Sequence, residues 1–147
     1  MMSEEDVIVG IIGSLEGGYP ARNWSLVLTP DRIVAAVISG ATGGVRASIA
    51  RGAVVLKGRA LESRVVKETE RLRRLSPRAI LADDKWNYSI AYGGIQRVEL
   101  TKPGLRAGKL LIQTQNRQHS FLLRDKANFA AHAKLLESAL GEKLVWH

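Results

Sequence analysis

The segment Asn23 to Val37, NWSLVLTPDRIVAAV, constrains this chain more than any other. Two apolar runs flank the tetrapeptide Thr29-Pro30-Asp31-Arg32. Proline pre-sets φ at the second turn position, and aspartate can bond to its own backbone nearby. The pattern predicts a β-hairpin. On its first strand Trp24, Leu26 and Leu28 share the bulkier face, alternating with Ser25, Val27 and Thr29. Ile33 to Ile38 is the returning strand.

Other segments extend the same theme. Val7 to Ile12 is a short apolar run that ends at Gly13, a first strand, and Ser14 to Arg22, with Gly17, Gly18 and Pro20, reads as a loop. Ser39 to Gly58 is rich in glycine and alanine; glycine weakens both helix and strand. It reads as a loop or short helix around Val45 to Ala50, then a strand from Ala53 to Lys57. Arg59 to Leu75 has helical spacing, with Leu61, Val65, Leu72 and Leu75 on one side. Ser76-Pro77 is an N-cap followed by proline at the first helical position, opening a second helix to about Leu81 that Asp83-Asp84 ends. Asn87 to Ala91 alternates as a strand, Gly93-Gly94 turns it, and Ile95 to Thr101 is the next strand. After the Pro103-Gly104 loop, Lys109 to Gln115 and Gln118 to Leu123 form a hairpin. Asp125 is the expected N-cap of a helix from Lys126 to Leu140, with Gly141 as its stop. Phe129, Ala133, Leu136 and Leu140 are its apolar stripe.

Four of these stretches resemble the pleckstrin-homology-like superfamily, specifically its GRAM and prokaryotic PH-like members. Leu26 to Val34 is similar to their first hairpin, with its Thr-x-x-Arg turn. Ser89 to Glu99 is similar to their "I-P-Y-x-x-I-x-x-V" strand, with Ala91 where proline is usual. Gly108 to Ile112 with His119 to Leu123, and the closing helix around Phe129, complete the likeness. The Gly/Ala-rich stretch and the Leu75 to Leu81 turn are also similar to some prokaryotic members. The resemblance implies one α+β domain over residues 1–147, mainly β: an antiparallel barrel or sandwich capped by the C-terminal helix. A Gly/Ala-rich and helical insertion would occupy about residues 40–84. An antiparallel sheet must also avoid open edges, and curling into a barrel is one solution.

At 147 residues the chain is long enough to bury a core without staples. It has no cysteine, which excludes disulfides, iron–sulfur clusters and thiolate zinc sites. The acidic start MMSEED is unlike an export signal, and the longest uncharged stretch, Ile33 to Val45, is too short to span a membrane. The expected location is cytoplasmic, with peripheral membrane attachment compatible with it. The net charge of +8 favours anionic partners, although aromatic residues are only 5%, which leaves few rings for stacking bases.

No catalytic motif surrounds His119, His132 or His147, and no phosphate-loop or dinucleotide spacing occurs. Asp83-Asp84 is too small a set for a metal. The expectation is therefore a non-enzyme without metal or cofactor. Two basic groups are candidate anion or lipid sites: Arg64, Lys67, Arg71 and Arg74 along the Arg59 to Leu75 helix, and Lys102, Arg106 and Lys109 around one loop. Both are also what ordinary solvated surfaces carry, and Glu68 and Glu70 are spaced for ion pairs within the helix. Phosphoinositide-binding PH domains cluster cations at the first hairpin; here the Ser14 to Arg22 loop offers Arg22 and Glu16, which does not support that mode. The expected function is a PH-like or GRAM-like interaction module for a protein partner or an anionic membrane surface. The alternative is a nucleic-acid-binding protein that uses the basic helix. The Gly/Ala-rich stretch would allow close packing against a second copy, as a homo-oligomer.

Overall fold

The computed structural model describes residues 7–17, 22–38, 59–123 and 125–146, with the side chains of residues 14 and 59–64 outside that description. The loop, helix and strand expected within residues 40–58 fall outside it as well.

Among the described residues, eight strands form one sheet: β1 (Gly10–Gly17), β2 (Arg22–Leu28), β3 (Arg32–Val37), β4 (Tyr88–Ala91), β5 (Ile95–Thr101), β6 (Gly108–Thr114), β7 (Gln118–Leu123) and β8 (Leu144–Trp146). Helices α1 (Arg59–Arg73) and α2 (Pro77–Asp83) lie between β3 and β4, and α3 (Phe129–Leu140) lies between β7 and β8. The strand order is β4-β3-β2-β1-β7-β6-β5-β8.

This order corrects the expected antiparallel barrel or sandwich. The sheet is open, with β4 at one edge and β8 at the other. It is also mixed, because β8 runs parallel to β5, with Glu99 opposite Val145. The expectation treated closure as the means of hiding edges. This chain instead keeps its edges short, four residues in β4 and three in β8, which limits the backbone left for another strand. The strand Leu144–Trp146 was not among the sequence-based expectations.

The Thr29 to Arg32 hairpin turn forms as expected, but threonine rather than aspartate organises it. The Thr29 hydroxyl accepts the Arg32 N–H at 3.0 Å and lies 2.9 Å from both the Asp31 carboxylate and the Arg32 carbonyl. β1 continues through Gly13 to Gly17, where a loop was expected. Its register against β2 shifts between Ile12 and Leu15, so the small residues absorb a bulge instead of ending the strand. Gly17 also meets β7 closely: a Cβ there would stand 2.6 Å from the Ser120 carbonyl oxygen.

Both faces of β2 and β3 are buried. Trp24, Leu26, Leu28, Ile33, Ala35 and Val37 join the larger core with strands β5–β7 and α3. Val27, Val34 and Ala36 face a second core with Leu72 of α1 and Ile80 of α2. By contrast β6 alternates buried and exposed residues, as expected for a strand covered on one face. The Ser76 hydroxyl accepts the Ala79 N–H at 3.2 Å, the expected cap of α2. α3 begins at Phe129, later than expected, with Asn128 as its N-cap residue. Asp125 holds the preceding turn, accepting the Asn128 backbone N–H at 3.1 Å and its side-chain amide at 2.8 Å. Gly141 ends α3 at φ 54°, a left-handed conformation that favours glycine.

The four apolar positions of α3 are all buried in the larger core. Leu136→Ala should lower stability by about 2–5 kcal/mol in a denaturant titration, because it leaves a cavity in a close-packed core. The exposed control Glu137→Ala should stay within about 0.5 kcal/mol.

Candidate functional site

The two predicted basic groups have different fates. Among the described residues, Lys67 on α1 and Arg74 in the turn just after it differ from Arg71 in having no ion pair across to α2, while Arg64 lies on the helix with its side chain outside the described set. Arg71 is committed elsewhere. Its guanidinium donates to Glu68 at 3.0 Å and to Asp83 of α2 at 2.7 Å. Those hydrogen bonds, Glu68 first, raise the guanidinium pKa above its ordinary range. Arg71 thus joins α1 to α2, and Asp83 becomes a helix-pairing residue. Glu68 thus forms an ion pair within the helix, with the residue three positions on.

The connection from β5 to β6 carries Lys102 and Arg106, and Lys109 is the second residue of β6. Thr101 stands opposite Lys109 in the register, so Lys102 and Lys109 flank the base of the loop. Pro103 is buried, and a Cβ at Gly108 would collide with the Thr101 carbonyl and the Pro103 ring. The loop base therefore requires glycine at position 108. Gly104 donates its N–H to the Arg106 carbonyl at 2.9 Å. Between them Leu105 is fully exposed. All three cations are exposed as well.

A second site was not legible in the sequence. A cleft of about 390 Å³ opens where the start of β2, the segment before β4 and the start of β7 meet. Trp24, Trp86, Tyr88, His119 and Phe121 supply its rings. Trp24 meets Tyr88 edge-on at 5.5 Å, and Tyr88 stacks on His119 at 5.2 Å with 22° between the rings. Trp86 is placed by Asp84, whose carboxylate accepts the Trp86 backbone N–H at 2.9 Å. The Arg22 guanidinium lies 4.0 Å from the centre of the Trp86 ring, a cation–π contact. Asn87 anchors the segment: it accepts the Val37 N–H at 2.8 Å and donates to the Ile80 carbonyl at 2.7 Å. Lys85 and Arg117 also line the cleft, and among the described residues no carboxylate does. Neither cation has an ion-pair partner among the described residues. The signal lay in two short segments, Lys85-Trp86-Asn87-Tyr88 and Arg117-Gln118-His119, each pairing a cation with a ring. Nothing in either segment announces that they meet.

Burial pushes the Tyr88 phenol up to about 12, against a smaller lowering by Arg117. Burial, with Arg117, lowers the His119 pKa and favours its neutral ring. A further hollow of about 340 Å³ between α1 and the start of α3 is lined by Val65, Thr69, Glu70, Asp125 and His132. Burial lowers the His132 pKa, partly opposed by Asp125. Among the described residues, no group of three or more histidine or acidic side chains is placed to hold a metal. No described helix is long and apolar enough to cross a membrane.

The chain matches no protein-family model and no curated protein.

Tyr88 and Tyr92 both carry phenols pushed up to about 12, mainly by burial. Their folded pKa values exceed the unfolded value near 10, so the neutral rings' contribution is complete below about pH 10 and lost as pH rises through about 12. In a phenolate absorbance titration, Tyr88→Phe and Tyr92→Phe should each remove one late-titrating component. Loss of a component near pH 10 instead would contradict the burial seen here.

Proposed function

We propose that this protein is a non-enzymatic interaction module that docks reversibly on an anionic membrane surface through the β5–β6 loop. The observation that carries this proposal is Leu105, fully exposed at the tip of a loop bearing Lys102, Arg106 and Lys109. An apolar tip flanked by cations suits the boundary between anionic headgroups and acyl chains. The net charge of +8 favours approach to such a surface. The motifs that resemble PH-like and GRAM-type domains agree with a binding role, since members of those families bind lipids, peptides or proteins.

Magnitudes favour weak, reversible attachment. Each cation near an anionic leaflet contributes about 1 kcal/mol, and burying one leucine side chain about 1.5–3 kcal/mol. Together they give on the order of 5 kcal/mol, a dissociation constant of roughly 0.1–1 mM. A second attachment point or a second copy would be needed for tight binding. Nucleic-acid binding along α1 has less support, because Arg71 is already paired with Glu68 and Asp83.

Co-sedimentation with phosphatidylserine-containing vesicles tests the proposal. Binding should be measurable at low ionic strength, fall steeply with added salt, and be absent with neutral phosphatidylcholine vesicles. Leu105→Asp should weaken binding by about tenfold or more. The double change Lys102→Glu with Arg106→Glu should remove the salt-sensitive part. Binding that ignores these changes, or no binding to the anionic vesicles, would overturn it.

A further inference from the structure

The cleft between β2, β4 and β7 is separate from the β5–β6 loop. β6 runs from that loop to the Asn116-Arg117 turn, and its seven residues put the two about 20 Å apart. The cleft's composition also differs. Its volume of about 390 Å³ lies within the roughly 300–1,000 Å³ range of small-ligand clefts.

We infer that this cleft binds a phosphorylated heteroaromatic ring, a nucleotide, with the base against Trp86 and His119 and the phosphate on Lys85 and Arg117. Three features of the cleft point to this class of ligand. First, the rings form an organised wall. Tyr88 and His119 are already stacked at 5.2 Å, and Trp24 braces Tyr88 edge-on. A planar ligand ring extends such an arrangement at small conformational cost, because its receiving faces are held before binding. Second, Trp86 is positioned for a ligand rather than sunk in the core. Arg22 packs on its ring at 4.0 Å and Asp84 fixes its backbone, yet the residue remains 48% exposed. Third, the lining has a charge sign. Lys85 and Arg117 enter it and, among the described residues, no carboxylate does, which favours an anion beside the rings. Gln118 and Ser120 add polar groups at the same rim that can meet the edge of a base.

A phosphate alone would use the two cations and leave the rings idle. An uncharged aromatic would use the rings and leave the cations idle. A nucleotide uses both. The same chemistry is offered by a free nucleotide and by a nucleotide within a single strand.

The test is isothermal titration of the intact protein with the four nucleoside monophosphates, adenosine, inorganic phosphate, inositol hexakisphosphate and a five-nucleotide single-stranded oligonucleotide. At least one nucleoside monophosphate should bind, and about tenfold or more tightly than adenosine or phosphate. If the oligonucleotide binds more tightly than every monophosphate, the source is a strand; if not, it is the free nucleotide. Trp86→Ala should weaken binding by about tenfold or more, as loss of one stacking partner does. Arg117→Glu, on an exposed hairpin tip, should weaken it similarly and is not expected to disturb folding. Lys102→Glu should leave it unchanged. The proposal is overturned if neither monophosphates nor the oligonucleotide bind at millimolar concentration. It is also overturned if phosphate or inositol hexakisphosphate binds as tightly as any nucleotide, or if binding survives Arg117→Glu. The vesicle and nucleotide experiments depend on different residues, so either can fail without the other.

Discussion

Burial of the β2–β3 hairpin on both faces is the constraint from which the other packing follows. Its two strands present apolar side chains in both directions: Leu26, Leu28, Ile33 and Ala35 one way, Val27, Val34 and Ala36 the other. A sheet with two apolar faces needs two covers. The segment after β3 supplies one cover, α1 and α2, through Leu72 and Ile80. The larger core, with α3, supplies the other. Arg71 then fastens the two outer helices together through Asp83, and Asn87 fastens α2 to β3. Strands β5 to β7 need only one cover, and their alternating burial shows it.

Tyr92 performs a comparable service at the corner between β4 and β5. These strands follow each other in sequence, separated by the turn Tyr92–Gly94, yet stand first and seventh in the sheet order. The turn draws them together, but no ladder joins them. Tyr92 donates its N–H to the Asp31 carbonyl at 3.0 Å and its hydroxyl to the Thr29 carbonyl at 2.5 Å. Lys143, just beyond α3, donates to the Tyr92 carbonyl at 2.6 Å. One residue thus binds the first hairpin turn, the β4–β5 corner and the end of the last helix. The hydrogen bonds do at this corner what strand pairing would do in a closed sheet.

The two candidate surfaces follow from the same frame. The β5–β6 loop is a local product: the hairpin register sets Lys109 opposite Thr101, and Pro103 with Gly108 fixes the loop's base. The aromatic cleft is a non-local one. Trp24, Trp86 and His119 come from three separated segments, and the packing that joins α2 to β3 through Asn87 positions one of them. Three histidines and few aromatic residues give a reader of the sequence little reason to expect rings to gather. The low aromatic total is no guide to their local density.

The sequence by itself determined the elements whose signals are local. The Thr29 to Arg32 turn, the Ser76 cap, the apolar stripe of α3 and its Gly141 stop could be read because each depends on neighbours within a turn or two. Only the tertiary structure decided that the sheet stays open, that Leu144–Trp146 adds a parallel edge, that Arg71 is an ion-pair residue and that rings converge on one cleft. Each of those outcomes rests on contacts between residues far apart in the chain. Such contacts are chosen by which faces must be buried together, and a local pattern carries no record of that choice.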